Sequence, residues 1–273
     1  MKILNTRKIR GHKLSTEKTP LLMLTCYDYQ TACLLDETEL DLILVGDSLG
    51  NVILGYENTI KVSLQEMIIF SAAVKRGAKN KFVVADLPFG TYSTFDAGIK
   101  NATKLFQRSA AEAIKLEGAF DHQLKIIKCL TQTGIPVMGH IGLTPQSVHE
   151  MGGYYTHGKN QESANNLKQQ ALSLQEAGAF AIVLECVKEA VATEITQLLH
   201  IPTIGIGSGD KTDGQVLVIN DLLKMGQERP PSFVQPISDL YTLKKSLISD
   251  YIHSFNTADH PITAKKNERL DIH

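Results

Sequence analysis

Eight short apolar runs recur from residue 21 onward, separated by helix-like intervals. This alternation restricts the fold more than any other feature. The runs are LLMLTCYD (21–28), LILVGDS (42–48), FVVADLPF (82–89), AIKLEG (113–118), IPVMGHIG (135–142), AFAIVLECV (179–187), IPTIGIGSG (201–209) and QVLVIND (215–221). Continuous apolar runs of this length, rich in Val, Ile and Leu, belong to strands covered on both faces, as in a parallel sheet. The intervals carry helix signals. Ser63 and Glu66 form an S-x-x-E capping box ahead of Leu64, Met67, Ile68 and Ala72 on one face. Ala164, Leu167, Ala171 and Leu174 form a second stripe before the turn EAGAF, and Val191, Ile195 and Leu198 a third before His200-Ile201-Pro202.

Strand and helix alternating eight times in 273 residues predict an α/β fold, a (β/α)8 TIM barrel in a single domain. A doubly wound open sheet is the competing architecture. The barrel is expected over residues 1–255 as the catalytic domain, and the polar tail 256–273 is expected to fray. The last unit is the least regular, because 210–221 leaves little room for a helix between strands seven and eight. RPPSFVQP interrupts the pattern near residue 230, and beyond it Leu240, Leu243 and Leu247 mark a helical extension at the C-terminal end.

Composition excludes several classes of function. A formal net charge of −1 argues against a nucleic-acid footprint or a polybasic membrane contact. The N-terminal stretch MKILNTRKIRGHKLSTEKTP has no apolar h-region, and no run approaches the ~20 apolar residues of a membrane span. A cytoplasmic enzyme is the expectation. Cys26, Cys33, Cys129 and Cys186 form no C-x-x-C pair and read as structural thiols. The G-x-G-x-G of GIGSG (205–209) is followed by DKTDGQ instead of a helix start, so it reads as tight packing and not as a nucleotide loop.

Chemistry enters with the acids. Asp47, Asp86, Glu117 and Glu185 stand at or near the ends of separate apolar runs, and in a barrel of this type the C-terminal strand ends form the active-site mouth. Alone, Asp47 or Asp86 is as well explained as a helix cap or loop anchor, and Glu117 as an exposed loop residue. Together they are like charges that raise one another's pKa unless compensated. A divalent cation would compensate them, and oxygen-only ligands favour Mg2+. Glu185 interrupts an apolar run, a setting that suits a general base. Lys115 shares a strand face with Glu117 and is placed either to neutralise a substrate carboxylate or to pair with a neighbouring acid. Ser48 offers a hydroxyl for an anionic oxygen or for a cap. His140, ending the fifth run, offers a hydrogen bond to substrate or a structural one to backbone.

At these residues the sequence resembles the ketopantoate hydroxymethyltransferase family. The matching segments are collinear over about residues 21–225: LTCYDYQTA, LVGDSLGNVILGY, VVADLPFGTY, KLEG, PVMGHIGLTPQSVHEMGGY, EAGAFAIVLECV, IPTIGIGSG and DGQVLVINDLL. The resemblance implies a (β/α)8 barrel assembled as a homo-decamer. It implies Mg2+ held by Asp47, Asp86 and Glu117, directly or through water. It places Asp47, Ser48, Asp86 and Lys115 against an α-keto acid, with Glu185 as the base. The implied reaction joins 3-methyl-2-oxobutanoate to the one-carbon unit of 5,10-methylenetetrahydrofolate through a Mg2+-stabilised enolate. The products are 2-dehydropantoate and tetrahydrofolate, in the first committed step of pantothenate synthesis. The chain departs from the family pattern at KLEGAF, at QRSAAEA before it, at GIGSG and at GGYYTHGK. Two alternatives stand beside this reading: a Mg2+-dependent lyase or mutase of the phosphoenolpyruvate mutase/isocitrate lyase superfamily, and a non-enzymatic barrel scaffold. The lyase loop of K-x-C-G-H type is missing from the sequence.

Overall fold

The computed structural model describes residues 4–14 and 19–256. Eight parallel strands close into a barrel in chain order: β1 (Leu21–Thr25), β2 (Leu42–Val45), β3 (Phe82–Asp86), β4 (Ala113–Glu117), β5 (Val137–Gly142), β6 (Ala181–Glu185), β7 (Thr203–Ile206) and β8 (Gly214–Leu217), with β8 pairing back onto β1. Seven of the eight expected runs contain their strands, and the eighth strand begins one residue before its run, at Gly214. The strands are shorter than the runs, and in all but the fifth, where β5 reaches the end of its run at Gly142, the C-terminal residues of the run turn out of the sheet toward the mouth. In the first run Asp28 has left the strand and caps the next helix through Thr31 N–H, at 2.9 Å. The open-sheet alternative is excluded by the β8–β1 closure.

The long helices between strands are α1 (Tyr29–Asp36), α2 (Leu64–Gly77), α3 (Phe95–Ser109), α4 (Asp121–Gln132), α5 (Gln161–Glu176) and α6 (Glu189–Leu198). The capping box of α2 is formed: Glu66 N–H donates to Ser63 Oγ at 3.2 Å, and Ser63 N–H donates to Glu66 Oε2 at 2.6 Å. The stripe on α5 is buried, as are Val191 and Ile195 of α6. Leu198 is not; it is 42 % exposed, because α6 ends there and the chain turns away before β7. No helix separates β7 from β8, as the short interval implied.

The chain divides into two compact units, Met1–Ile219 and Asn220–His273. The first holds all eight strands. The second holds α7 (Leu240–Asn256), the expected helical extension; its tail from residue 257 lies outside the described residues.

Side chains alternate along a strand, so every second residue enters the lumen. The lumen core is built this way from Leu21, Met23, Leu42, Leu44, Phe82, Val84, Ala113, Met138, Ala181, Val183, Ile204 and Val216. Phe82 meets Phe180 edge to face, with ring centroids 5.6 Å apart. Ile9, from the short helix Thr6–Gly11, joins the same cluster and is fully buried. Lys13 anchors the segment after that helix, donating to Asp213 Oδ2 at 2.6 Å, and Asp213 also accepts from Thr203 N–H at 3.0 Å. Intervening residues such as Ile43, Val83, Ile114 and Ile182 face outward and are fully buried beneath the helices, which explains why the runs show no polar alternation.

Two helix ends yield opposite stability predictions. Ser63→Ala removes a capping bond and should cost about 1 kcal/mol. Glu66 is held below the usual carboxylate range, chiefly by Ser63 N–H. Its contribution is therefore full above about 4.5 and lost as pH falls further. Of the bonds to this carboxylate, the variant keeps the backbone N–H and loses only the one from Ser63 Oγ to Glu66 Oε2 at 2.7 Å, so the gap between wild type and variant should narrow modestly in acid. Ala110 ends α3 in the left-handed region, φ 57°, where a Cβ is unfavourable. This is the QRSAAEA departure, and Ala110→Gly should stabilise by about 0.5–1 kcal/mol. Urea unfolding of the two variants checks both signs.

Candidate active site

The alternation that fills the lumen also delivers the acids. Two residues beyond Val84 on β3 is Asp86; beyond Ala113 on β4 are Lys115 and Glu117; beyond Met138 on β5 is His140; beyond Val183 on β6 is Glu185. Strand register sets these groups in sequence around the rim: Asp86 is level with Lys115, Glu117 with His140, and His140 with Val183. Asp47 arrives differently. It lies past the end of β2, on the turn entered through Gly46, and its N–H donates to Asp86 Oδ2 at 3.3 Å. Asp47, Ser48, Asp86, Lys115, Glu117, His140 and Glu185 all line one cavity of about 170 Å3, walled on its apolar side by Leu44, Val183, Ile206 and Val216.

Charge is compensated pairwise. Lys115 Nζ bonds Asp86 Oδ1 and stands 3.9 Å from Glu117 Oε1. Burial opposes the ammonium, but Asp86, Glu117 and Asp47 outweigh burial and raise its pKa. His140 lies between two acids, Nδ1 3.4 Å from Glu117 Oε1 and Nε2 3.2 Å from Glu185 Oε2. Neither contact has full hydrogen-bond alignment, so the ring is held mainly by charge. Burial and Lys115 push its pKa down; the flanking carboxylates prevail and carry it up to about 9. Burial would raise Glu117, yet His140, Lys115 and Gln146 N–H hold it below the usual carboxylate range. Asp47 goes the other way. Burial, then Asp86 and Glu117, push it well above that range against Lys115 and Gln146.

The donor set fits a hard divalent cation at Asp47 and Asp86, since Asp47 is the buried acid left short of positive charge. Glu117, like Asp86, has both oxygens engaged within the site. Its Oε1 faces His140 and Lys115, and its Oε2 accepts from Gln146 N–H at 3.1 Å. Among the described residues no three acidic, His or Cys side chains converge into a closed chelate.

Several open alternatives resolve. Ser48 caps nothing with its side chain; its Oγ lies 2.8 Å from Tyr27 Oη. Asp47 is not a side-chain helix cap either. Lys115 does pair with a neighbouring acid, inside the mouth. His140 commits both ring nitrogens to carboxylates and not to backbone. Glu185 is the most open of the four acids, its side chain 18 % exposed, in contrast to the apolar enclosure its run suggested. Cys26 is buried and its thiol pushed up to about 12, chiefly by burial, which makes it inert. In GIGSG, a Cβ at Gly209 (φ 80°) would fall 2.3 Å from Glu189 Cγ, as tight packing requires.

Four contributors escaped sequence reasoning. Gln146 donates to the Asp47 carboxylate and Tyr92 donates to Gln146, and neither side chain carries a charge that would draw notice. Ser208 Oγ donates to Leu184 O at 2.8 Å and accepts from Val187 N–H at 3.0 Å, bracing the left-handed turn at Cys186 that follows Glu185. Tyr154 lines the cavity from the GGYYTHGK loop, whose Tyr155 and His157 rings stack at 4.5 Å.

Comparison with known proteins follows the same lines. The model of a family described as ketopantoate hydroxymethyltransferase matches residues 5–263. A 3-methyl-2-oxobutanoate hydroxymethyltransferase from Geobacillus sp. (strain WCH70) is 45% identical over 267 residues, covering 96% of this chain and 95% of that protein. The enzyme of the same name from Exiguobacterium sp. (strain ATCC BAA-1283 / AT1b) is 48% identical over 250 residues, covering 91% and 90%. Among solved structures, a phosphonopyruvate hydrolase complexed with oxalate and Mg++ superposes with TM-score 0.62 at 8% identity, covering 98% of this chain and 93% of that one. A putative phosphonomutase from Burkholderia cenocepacia J2315 gives 0.63 at 12%, covering 92% and 100%. At such identities these structures share the fold alone. Among the described residues no helix is long and apolar enough to cross a membrane.

The setting of His140 predicts a pH signature. Its folded pKa is raised, so the stability it contributes is complete below 6.5 and lost as pH rises through about 9. Wild-type stability should decline across that window, and His140→Gln should flatten the curve. A wild-type profile as flat as the variant's would remove the charged imidazole from this account.

Proposed function

The chain belongs to the ketopantoate hydroxymethyltransferase family, and on that footing we propose how its barrel mouth performs the reaction. The enzyme transfers a hydroxymethyl group from 5,10-methylenetetrahydrofolate to 3-methyl-2-oxobutanoate, giving 2-dehydropantoate and tetrahydrofolate at the start of pantothenate synthesis. The observation that carries the residue roles is a division across one cavity: Asp47, Asp86 and Lys115 on one set of strand ends, with Glu185 on another.

Asp47 and Asp86 would hold Mg2+, with Glu117 one layer behind them. When bound, the ion supplies Lewis-acid stabilisation of the negative charge that grows on the keto oxygen. Lys115, kept charged by three acids, faces the substrate carboxylate. Ser48, oriented by Tyr27, offers its hydroxyl to the same end of the substrate. The apolar wall of Val183, Ile206 and Val216 receives the branched carbon end. Glu185 is the base. His140 occupies its Oε2, which leaves Oε1 to take the proton from C3, the carbon beside the ketone. Water cleaves the two C–N bonds of the folate's one-carbon unit, releasing tetrahydrofolate and a formaldehyde-level carbon, and the carbanion equivalent adds to that carbon, whose water-derived oxygen becomes the hydroxyl. His140 serves this step by steadying Glu185 and not by touching substrate. The reading carries with it a cytoplasmic homo-oligomer, the decamer of the family, which sedimentation would test.

Incubation with 3-methyl-2-oxobutanoate in D2O should exchange the C3 proton, and EDTA should stop the exchange. Glu185→Gln should bind the keto acid but slow exchange by about 10²–10⁴-fold. Asp86→Asn should instead weaken Mg2+-dependent binding. Undiminished exchange in Glu185→Gln would remove it from the role of base.

A further inference from the structure

Gln146 is a neutral side chain on which three strand ends converge. It sits in the tight turn Pro145–Ser147 that follows β5, and is 3 % exposed. Its amide Nε2 donates to Asp47 Oδ2 at 2.8 Å and to Leu87 O at 3.1 Å. Its backbone N–H donates to Glu117 Oε2 at 3.1 Å, and its Oε1 accepts from the Tyr92 hydroxyl.

The partners leave one orientation for this amide. Leu87 O can only accept, and so can an ionised Asp47, so the nitrogen must face them. The Tyr92 hydroxyl can donate, so the oxygen faces it. A flipped amide would set its oxygen against two acceptors inside a buried site, which costs the desolvation of every unpaired group. Both amide N–H groups are therefore committed. The consequence falls on the acids. Asp47, which lines the cavity, has Oδ2 tied down and Oδ1 outside the Gln146 contact, while Glu117 has Oε2 drawn toward the loop after β5.

We infer that Gln146, its amide held by Tyr92, is a positioning residue that selects the Asp47 oxygen offered to the ligands and holds Glu117 back. It thereby governs how tightly the keto acid binds and not how fast its proton leaves. The inference rests on the functional reading above, in which Asp47 is a ligand-binding group and Glu185 the base. Groups that orient ligating carboxylates from behind commonly matter 10- to 100-fold, as a rough measure.

The test is calorimetric titration of 3-methyl-2-oxobutanoate into protein with excess Mg2+ and no folate, paired with the saturated C3 exchange rate in D2O. Gln146→Met keeps the volume, removes the side-chain amide that bonds Asp47, Leu87 and Tyr92, and leaves the backbone N–H to Glu117 in place. Its keto-acid Kd should rise about 10- to 100-fold, while exchange at saturation stays within about threefold of wild type. Tyr92→Phe removes only the hydroxyl that fixes the amide and should raise Kd about fivefold, the loss of one ordinary hydrogen bond. A purely structural role would lower the melting temperature and leave Kd alone. A folded Gln146→Met protein with unchanged Kd overturns the inference. Should that variant not fold, an unchanged Kd in Tyr92→Phe does the same. Wild-type protein that binds no keto acid with Mg2+ present would instead overturn the functional reading, and this inference with it.

Discussion

Burying Asp47, Asp86 and Glu117 beside one another is costly, because each loses water and repels the other two. The mouth of this barrel is organised around that cost. Lys115 bonds Asp86 and reaches toward Glu117, while His140 stands between Glu117 and Glu185. Two cations thus serve three of the four acids. Among the described residues the Asp47 carboxylate accepts a hydrogen bond from the neutral Gln146 amide and pairs with neither cation directly, and its pKa is pushed upward. The imbalance is local, and it marks where a positive ligand would gain most.

Strand geometry makes such an arrangement possible. Alternation brings every second residue inward, so the rows that pack Phe82, Val84, Met138 and Val183 into the lumen continue outward as Asp86, His140 and Glu185. The hydrophobic core and the polar mouth are successive layers of the same strands. A one-residue slip in register would exchange buried acids for outward-facing apolar residues, so packing of the core and placement of the charges are specified together. The turns then finish the site. Gly142 (φ 94°) permits a close approach at which a Cβ would lie 2.2 Å from Glu185 O, and Ser208 braces the turn on the far side of Glu185.

Solved hydrolases, lyases and mutases share this fold at 8–12% identity, while the hydroxymethyltransferases are 44–48% identical to the chain over the aligned residues. A parallel barrel with acids at its strand ends is therefore a common frame. What distinguishes this chain lies in the particular side chains around the cavity and in the loops that hold them.

Much of this was legible in the residues alone. The eight apolar runs determined the strands, the capping box determined the start of α2, and the acids at the run ends announced the mouth. These signals are local: periodicity and capping act over a few positions, and strand parity follows from backbone geometry. Lys115 and Glu117 could be placed on one face because they are two residues apart on one strand. Other features were decided only when the barrel closed. Gln146 reaches Asp47 across 99 residues, His140 finds Glu117 and Glu185 through the register of β4, β5 and β6, and Glu185 proves more open than its apolar run suggested. No pattern in the chain encodes these contacts, because they depend on strand register and on the paths of turns. A neutral amide gives no local sign of what it will touch, so its partners, unlike the strands, exist only in the assembled fold.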